Sequence, residues 1–367
     1  MDSPYSNELK IAFEVIQQAA KLSQFVLSQA QKDDNHDLGV VSKDDLSPVT
    51  IADFAVQALL TSTLHAHFPS DRFVGEESAG QLRANPALLD RVQAALQHTQ
   101  NQLQDEAESL VRFPSSPDQM CEMIDWCGTG TPDVGGRIWV FDPIDGTENF
   151  VKNLVYAINV GLLEDGRQVL SAVGCPNLSM DIKSPASDNS LDPSQEGSIA
   201  FAVRGHGAFI RKLPGSYHSA AVRRLPRHAE HASDLRSVTC LNTSGLPAVH
   251  ESAARQLGIE YPGSTLLPWV MRYVLLALNV GNTTFWVYKS RSRLAKIWDH
   301  VGAMLLFEEV GGKITDVDGK DLDWNAGRQM VANYGIIAAP SNLHGQVLAT
   351  VRGALQEIKP ELLSVPN

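Results

Sequence analysis

Apolar residues recur along the chain with two different spacings, and each spacing predicts a different kind of element. Continuous apolar runs rich in β-favouring residues are typical of buried strands. One such run covers residues 138–141, and others cover 156–163 and 168–174. Between the last two runs lies Asp165-Gly166, a favoured pair for a tight hairpin turn. A further hairpin is predicted over 199–210, so this part of the chain is expected to be rich in strands.

Helical spacing, in which apolar residues recur every three or four positions, covers residues 7–31 and a second segment after Thr50. Thr50 and Asp53 resemble a capping box at the start of this second helix, which is expected to stop near Phe68. Further helices are predicted over 84–119 (a surface pair or insertion), 269–278 and 299–310, and at the C-terminus. Further strands are predicted over 72–75, 238–242, 284–288, 313–315 and 334–339.

The mixture of strands and helices predicts an α/β fold with layered sheets and helices. A chain of 367 residues is long enough for two domains. We expect an N-terminal α+β domain over residues 1–212 and a C-terminal α/β domain over residues 213–367 that completes the active site.

Composition narrows the class of protein. The net charge of −12 and the sequence pI of about 5.3 argue against binding to a nucleic acid polymer. The four cysteines lack zinc-type spacing and are predicted to be reduced thiols. The N-terminus does not resemble a signal peptide, and no segment approaches the roughly 20 apolar residues of a membrane span. The expectation is a cytoplasmic protein that does not contact a membrane.

Candidate chemistry begins directly after the strand at 138–141. Asp142 and Asp145 follow it, separated by a proline and an isoleucine, and Gly146 allows a tight turn. Thr147 is predicted to be the N-cap of a short helix. Carboxylates are the ligands that Mg²⁺ prefers, and the free N–H groups at a helix start bind anions. A polar turn without chemistry is the alternative explanation.

Three more acidic residues occupy strand ends or helix starts, namely Asp53, Glu76 and Asp299. Each has a structural explanation: Asp53 suits a helix cap, and the Glu76-Glu77 pair suits an exposed loop. Adjacent carboxylates repel each other unless a cation or solvent shares them, so a metal site is the second explanation for Glu76. The complete set is harder to explain structurally than any one member.

Three segments carry a resemblance to a known family: Gly75-Glu-Glu-Ser78, Asp142-Pro-Ile-Asp-Gly-Thr147 and Trp298-Asp-His-Val-Gly302. They resemble the signature motifs of the inositol monophosphatase superfamily of magnesium-dependent, lithium-sensitive phosphatases. Within it, the chain looks most like the fungal and plant 3′(2′),5′-bisphosphate nucleotidases. The resemblance implies a sugar-phosphatase-like αβαβα sandwich with two β-sheets and packed helices, and a small phosphorylated substrate.

The resemblance also implies roles for individual residues. It makes Glu76, Asp142, Asp145, Asp299 and the Ile144 carbonyl ligands of two or three Mg²⁺ ions. It makes Asp53 and Thr147 the catalytic pair that orients and activates the attacking water. The substrate-binding groups are then the backbone N–H groups of Gly146 and Thr147 and the side chain of Arg272.

The residues around this set depart from the nucleotidase pattern. Asp-Gly-Thr is followed by Glu148-Asn149, where the nucleotidases usually have Lys-Gly. Trp269 and Trp286 stand where those enzymes carry hydrogen-bonding groups, and this exchange should weaken recognition of a second phosphate. Three interpretations follow: a phosphatase for adenosine 3′,5′-bisphosphate, a phosphatase for an inositol or other metabolite phosphate, and a metal-binding relative without catalysis. The oligomeric state is left open.

Overall fold

A seven-stranded sheet whose strands follow one another in chain order forms the centre of the molecule. A computed structural model describes residues 3–32, 39–42, 48–103, 109–132, 135–215, 217, 221–228, 231–242, 244–265 and 268–363. The strands are β1 (Val41–Ser42), β2 (Pro48–Val49), β3 (Arg72–Gly75), β4 (Arg137–Asp145), β5 (Ala157–Glu164), β6 (Arg167–Cys175), β7 (Ser198–Val203), β8 (Gly207–Lys212), β9 (Arg223–Arg224), β10 (Thr284–Trp286), β11 (Gly312–Thr315) and β12 (Ile336–Pro340).

The sheet order is β3-β4-β5-β6-β7-β8-β9, with β3 and β4 parallel and every later pair antiparallel. A second, antiparallel sheet has the order β10-β12-β11, and β1 pairs with β2. The hairpin at Asp165-Gly166 joins β5 to β6 as predicted.

Helices cover both faces of the main sheet. They are α1 (Ser6–Lys32), α2 (Ile51–His67), α3 (Gly80–Ala84), α4 (Pro86–Gln102), α5 (Pro117–Thr129), α6 (Thr147–Val151), α7 (Pro247–Leu257), α8 (Trp269–Ala277), α9 (Val301–Glu309) and α10 (His344–Ile358), with 3-10 turns at Ala232–Asp234, Ile297–Asp299 and Pro360–Leu362. On one face, α1 and α2 pack against the sheet; on the other, α8 and α9 lie between it and the second sheet. Helices α7 and α10 pack together outside the second sheet. The predicted αβαβα layering is confirmed.

Strand β4 shows why its apolar residues are continuous rather than alternating. Trp139 and Phe141 belong to the core beneath α1 and α2, whereas Ile138 and Val140 belong to the core shared with α8 and α9. A strand covered by helices on both faces needs apolar side chains at every position. The strand is therefore anchored on both sides up to the point where its carboxylates begin.

Some predicted elements differ from the structure. Helix α5 extends to Thr129, beyond the helix pair predicted over 84–119, and α7 was not predicted. In place of the strand predicted over 238–242, the structure has a single isolated bridge, between Cys240 and Ser264. In the predicted helix pair at 84–119, residues 104–108 lie outside the described residues. The division into two domains stays a prediction.

No helix in the described part of the chain is long and apolar enough to cross a membrane.

Candidate active site

The site lies where β4 leaves its hydrogen-bonding ladder. The register between β4 and β5 shifts between Asp142 and Asp145, an irregularity that turns side chains in new directions. Both carboxylates are almost fully buried, and one oxygen of Asp142 accepts the Ile144 N–H at 3.1 Å. The Ile144 carbonyl accepts the Thr147 hydroxyl at 3.2 Å. The predicted turn is thus a buried polar structure.

A third carboxylate reaches this turn from the distant end of the chain. Asp299 ends the 3-10 turn that precedes α9, and it lies at the edge of the site, half-buried. One oxygen each of Asp142, Asp145 and Asp299 lies within 4.8 Å of the others. Three carboxylates this close repel one another strongly when all are charged, unless a cation is placed between them.

The environment of Asp145 also favours a cation at this position. The pKa of its carboxyl is raised to about 7, mainly by burial and also by the nearby charge of Glu76, against lowering contributions from the Val270 and Met271 N–H groups and from Arg272. The Val270 N–H donates to Asp145 at 2.9 Å. Asp145 is therefore held by the start of α8, and its negative charge is unfavourable there without a positive ion.

Glu76 stands directly after β3, whose last residue is Gly75. It lies outside the compact group of three, although its charge acts on Asp145. The next residue, Glu77, is fixed by Gln57 of α2: the Gln57 amide accepts from the Glu77 N–H at 2.9 Å and donates to the Glu77 carbonyl at 2.7 Å. Hydrogen bonds with the Gln57 side chain therefore fix the backbone of the turn that carries Glu76 and Glu77.

Asp53 has one oxygen for the fold and one for the site. Its Oδ2 accepts the Thr50 N–H at 2.8 Å and the Thr50 hydroxyl at 2.6 Å, which completes the predicted capping box of α2. Its Oδ1 accepts the Thr147 hydroxyl at 3.2 Å. Asp53 is fully buried, so both contacts are shielded from water. The structural and functional explanations for Asp53 are compatible.

The turn after Asp145 differs from the prediction in one respect. The N-cap of α6 is Gly146, not Thr147, and no side chain caps this helix. Gly146 has φ +87°, and a Cβ at this position would lie 2.4 Å from Cγ of Pro268. Only glycine suits both the left-handed backbone and the close approach. Freed from capping, the Thr147 hydroxyl faces Asp53 and the Ile144 carbonyl.

Arg272 lies near the cluster but is enclosed by aromatic rings. Its guanidinium carbon is 4.1 Å from the ring centre of Trp269 and 5.0 Å from that of Trp286. One terminal nitrogen donates a hydrogen bond to the Cys240 sulfur at 2.6 Å. The side chain is only 3 % exposed. Its charge still lowers the pKa of Asp145, so it acts on the site through space. A direct contact with substrate stays a prediction.

Two pairs near the site were not predicted as functional. The Tyr273 hydroxyl lies 2.9 Å from Nδ1 of His300, the neighbour of Asp299, and burial lowers the pKa of His300 to about 3. The buried Asn149 of α6 donates to Asp188, in the segment between β6 and β7, at 3.1 Å. Both pairs join residues far apart in the chain, and no local spacing in the sequence signals them.

The donor set fits a hard divalent cation. The converging groups are carboxylates, with the Ile144 carbonyl beside them, and such oxygen ligands suit Mg²⁺ rather than zinc. Burial raises the pKa of the Asp145 carboxyl, and a divalent cation bound beside it would stabilise the charged form. We therefore interpret this turn as a candidate metal centre.

The chain is similar to known proteins over nearly its full length. The model of the inositol monophosphatase family matches residues 7–356. The chain is 33% identical over 366 residues to the 3′(2′),5′-bisphosphate nucleotidase of Emericella nidulans, covering 96% of this chain and 99% of that one. It is 35% identical over 351 residues to the enzyme of the same name from Schizosaccharomyces pombe, covering 94% of both.

Among solved structures, the fold is similar to the IMPase of Thermotoga maritima, with a TM-score of 0.59 at 17% identity over 96% of this chain and 99% of that one. The suhB protein of Bartonella henselae gives 0.57, also at 17% identity, over 95% and 99%. The family model and the full-length relatives show the family, and the solved structures show the fold. The chain therefore belongs to the inositol monophosphatase family and is a phosphoric monoester hydrolase.

Proposed function

We propose that the protein is a Mg²⁺-dependent phosphomonoesterase in which a water molecule attacks the phosphorus of a small phosphate ester. The observation that carries the proposal is the convergence of Asp142, Asp145 and Asp299 beside the Thr147–Asp53 hydrogen bond. In the proposal these three carboxylates, Glu76 and the Ile144 carbonyl hold two or three Mg²⁺ ions. When bound there, the ions would neutralise the phosphoryl oxygens, lower the pKa of a bound water and stabilise the leaving alkoxide.

In the proposal, Thr147 and Asp53 orient the attacking water and accept its proton. Thr147 donates a hydrogen bond to Asp53, so a lone pair on its oxygen can accept a hydrogen bond from the attacking water. As that water loses a proton to the Thr147 oxygen, the hydroxyl proton of Thr147 passes to Asp53. Asp53, buried and fixed by Thr50, is the proton acceptor behind Thr147. General base catalysis of this kind contributes about 10²–10⁴-fold. The N–H groups of Gly146 and Thr147 hold the phosphate in the proposal.

Adenosine 3′,5′-bisphosphate, cleaved at its 3′-phosphate, is the first substrate that we propose, because two full-length relatives are named bisphosphate nucleotidases. A second candidate class is an inositol, sugar or specialised-metabolite monophosphate. The enclosure of Arg272 between Trp269 and Trp286 favours it, because a guanidinium covered by two indoles is poorly placed to receive a second phosphate.

A substrate panel with purified protein tests these proposals. Phosphate release is measured from adenosine 3′,5′-bisphosphate, adenosine 3′-monophosphate and inositol 1-phosphate, with Mg²⁺ and with chelator. Release that requires Mg²⁺ supports the proposal, and kcat/KM across the panel decides between the substrate classes. No release from any of them would favour the third interpretation, a metal-binding relative without catalysis. Inhibition by lithium would support the metal-site chemistry that the family resemblance implies.

The first residue to change is Asp145, a buried proposed ligand whose pKa is raised to about 7. Asp145→Asn keeps the shape but removes the anionic oxygen, and it should lower kcat/KM by at least about 100-fold. The control is Asp71→Asn. Asp71 is a buried carboxylate before β3 that pairs with Arg137, away from the acidic cluster. We expect it to lower stability while the folded enzyme stays active; equal activity losses in both variants would contradict the assignment.

A further inference from the structure

Arg328, which lies outside the acidic cluster, connects the segment that carries Glu76 with the segment that carries Asp299. Arg328 lies in the loop between β11 and β12, and its carbonyl accepts the Ile297 N–H at 3.1 Å. Ile297 begins the 3-10 turn that ends at Asp299. The backbone around Arg328 is further tied to this region by a bridge between Lys296 and Gln329. The arginine is thus anchored beside the Asp299 turn.

Its side chain extends to the other half of the site. One terminal nitrogen donates to the carbonyls of Cys127 and Gly130 at 2.6 and 2.9 Å, and the other donates to the carbonyl of Gly75 at 2.6 Å. Gly75 is the residue directly before Glu76. The guanidinium also lies 4.7 Å from the ring centre of Trp298, the residue directly before Asp299.

Physical chemistry explains why an arginine suits this position. The Cys127 carbonyl belongs to the last turn of α5, and Gly130 is its C-cap residue; carbonyls at a helix end lack partners within the helix. A cation at the C-terminus also interacts favourably with the helix dipole. The planar fork of an arginine reaches three carbonyls and an aromatic face at once, whereas the ammonium of a lysine is a compact point charge.

We propose that Arg328 is a positioning residue that fixes Glu76 relative to Asp299 and thereby sets the affinity of the site for its metal ions. The proposal rests on the proposed function, because it takes both carboxylates as metal ligands. Arg328 touches neither substrate nor metal in this role. It fixes the backbone before each carboxylate, and its positive charge also lies near Glu76.

Loss of this side chain should leave the fold largely intact. The Glu77 backbone remains bonded to Gln57, and the Asp299 turn keeps its backbone bonds to residue 328. What disappears is the connection between the two turns. The expected consequence is weaker metal binding with the remaining catalytic groups in place, since groups that hold metal ligands typically contribute about 10–100-fold to metal affinity.

The test measures metal affinity directly. Binding of Mn²⁺, used as a paramagnetic probe for Mg²⁺, is titrated by electron paramagnetic resonance for the parent protein, Arg328→Met and Arg328→Lys. We expect the Kd for Mn²⁺ to rise by at least about tenfold in Arg328→Met and by less in Arg328→Lys, which can still reach one carbonyl. The Mg²⁺ concentration for half-maximal activity should rise in proportion, with kcat largely restored at saturating Mg²⁺.

The matched control is Arg291→Met. Arg291 is also half-buried, donates to a carbonyl (Leu362, 2.8 Å) and lies over an aromatic ring (Tyr334, 4.4 Å), but its ion pair is with Asp318, away from the cluster. We expect it to lower the Tm without changing the Kd for Mn²⁺. An unchanged Kd in folded Arg328→Met would overturn the proposal, as would an equal rise in Arg291→Met. If Arg328→Met does not fold, the Kd of Arg328→Lys decides: unchanged overturns the proposal, raised supports it.

Failure of the proposed function would be visible in the parent protein. A parent that binds Mn²⁺ but releases no phosphate would overturn the phosphatase proposal, and the Kd comparison would still test Arg328. A parent that binds no Mn²⁺ would overturn both.

Discussion

At the scale of single residues, the buried carboxylate of Asp53 is shared between a helix cap and the proposed catalytic pair. From the sequence, the capping box and the catalytic role were competing explanations. The structure shows that the cap and the contact with Thr147 use different oxygens: Oδ2 accepts from Thr50 and Oδ1 accepts from Thr147. Sequence spacing identified the residue and both of its contacts were plausible, but only the fold shows that they coexist.

This sharing predicts that the Thr50 cap affects catalysis as well as stability. Thr50→Ala removes the hydroxyl that caps α2 and that donates to Asp53 at 2.6 Å. The free energy of unfolding should fall by about 1 kcal/mol, as for other lost caps. Because Asp53 also loses a hydrogen bond that orients it toward Thr147, kcat should fall by about tenfold. Urea denaturation and steady-state kinetics measure the two effects.

The control for Thr50→Ala is another N-cap. Asn85 caps α4 by accepting the Leu88 N–H at 3.2 Å, and it makes no contact with the acidic cluster. Asn85→Ala should lose a similar amount of stability and keep its kcat. Equal kcat values in Thr50→Ala and the parent would show that Asp53 needs only its backbone bond to Thr50.

At the scale of elements, the turn from β4 into α6 is packed against the residue that precedes α8. The Gly146–Pro268 contact and the Val270 N–H bond to Asp145 join the same two segments. The start of α8 therefore sets where Asp145 lies, and a displacement of α8 should be felt at the proposed metal ligand.

Gly146→Ala tests this connection. The added Cβ would lie 2.4 Å from Pro268 Cγ, so either the turn or the start of α8 must shift. We expect kcat/KM to fall by at least about tenfold, because displacements of about 1 Å at a catalytic site can cost 10²-fold. Gly205→Ala is the control: its φ is +78°, but nothing lies within 4 Å of the added Cβ. It shares the strain of a left-handed alanine, roughly 1 kcal/mol, without the clash. Loss of activity in both variants alike would assign the effect to backbone strain.

Elements with strong local signals could be predicted from the sequence, and the misses divide into two kinds. The capping box of α2 and the apolar run of β4 are local, and both were identified. Helix α5 also has a local start signal, Ser116 as N-cap with Pro117 in the first turn, although no helix was predicted to begin there. The contacts of Arg328 have no such signal, because they join loops through carbonyls that any residue provides.

At the scale of the whole molecule, the site combines residues from both halves of the chain. Glu76 follows β3, and Asp142 and Asp145 lie in the last part of β4, whereas Asp299 precedes α9, which packs against the main sheet on the face opposite α1 and α2. The order of these elements was predictable from the chain, and the family resemblance implied the layering. The separation between the carboxylates was not predictable, because it depends on how the helices pack between the two sheets.

This assembly predicts that metal binding stabilises the entire fold. Without metal, the clustered carboxylates repel one another and the burial of Asp145 is unfavourable for its charged form. Mg²⁺ at about 100 times its Kd should add about 2.7 kcal/mol to the free energy of unfolding. For a chain of this size, the Tm should then rise by a few degrees.

Because the net charge is −12, any salt could stabilise by screening, so the comparison needs KCl at equal ionic strength. Asp145→Asn should start from a higher metal-free Tm, since a neutral amide relieves the repulsion, and should gain less from Mg²⁺. Equal gains from Mg²⁺ and KCl would mean that the carboxylates hold no specific ion, whereas a Mg²⁺-specific gain that Asp145→Asn reduces would connect the fold to the proposed metal site.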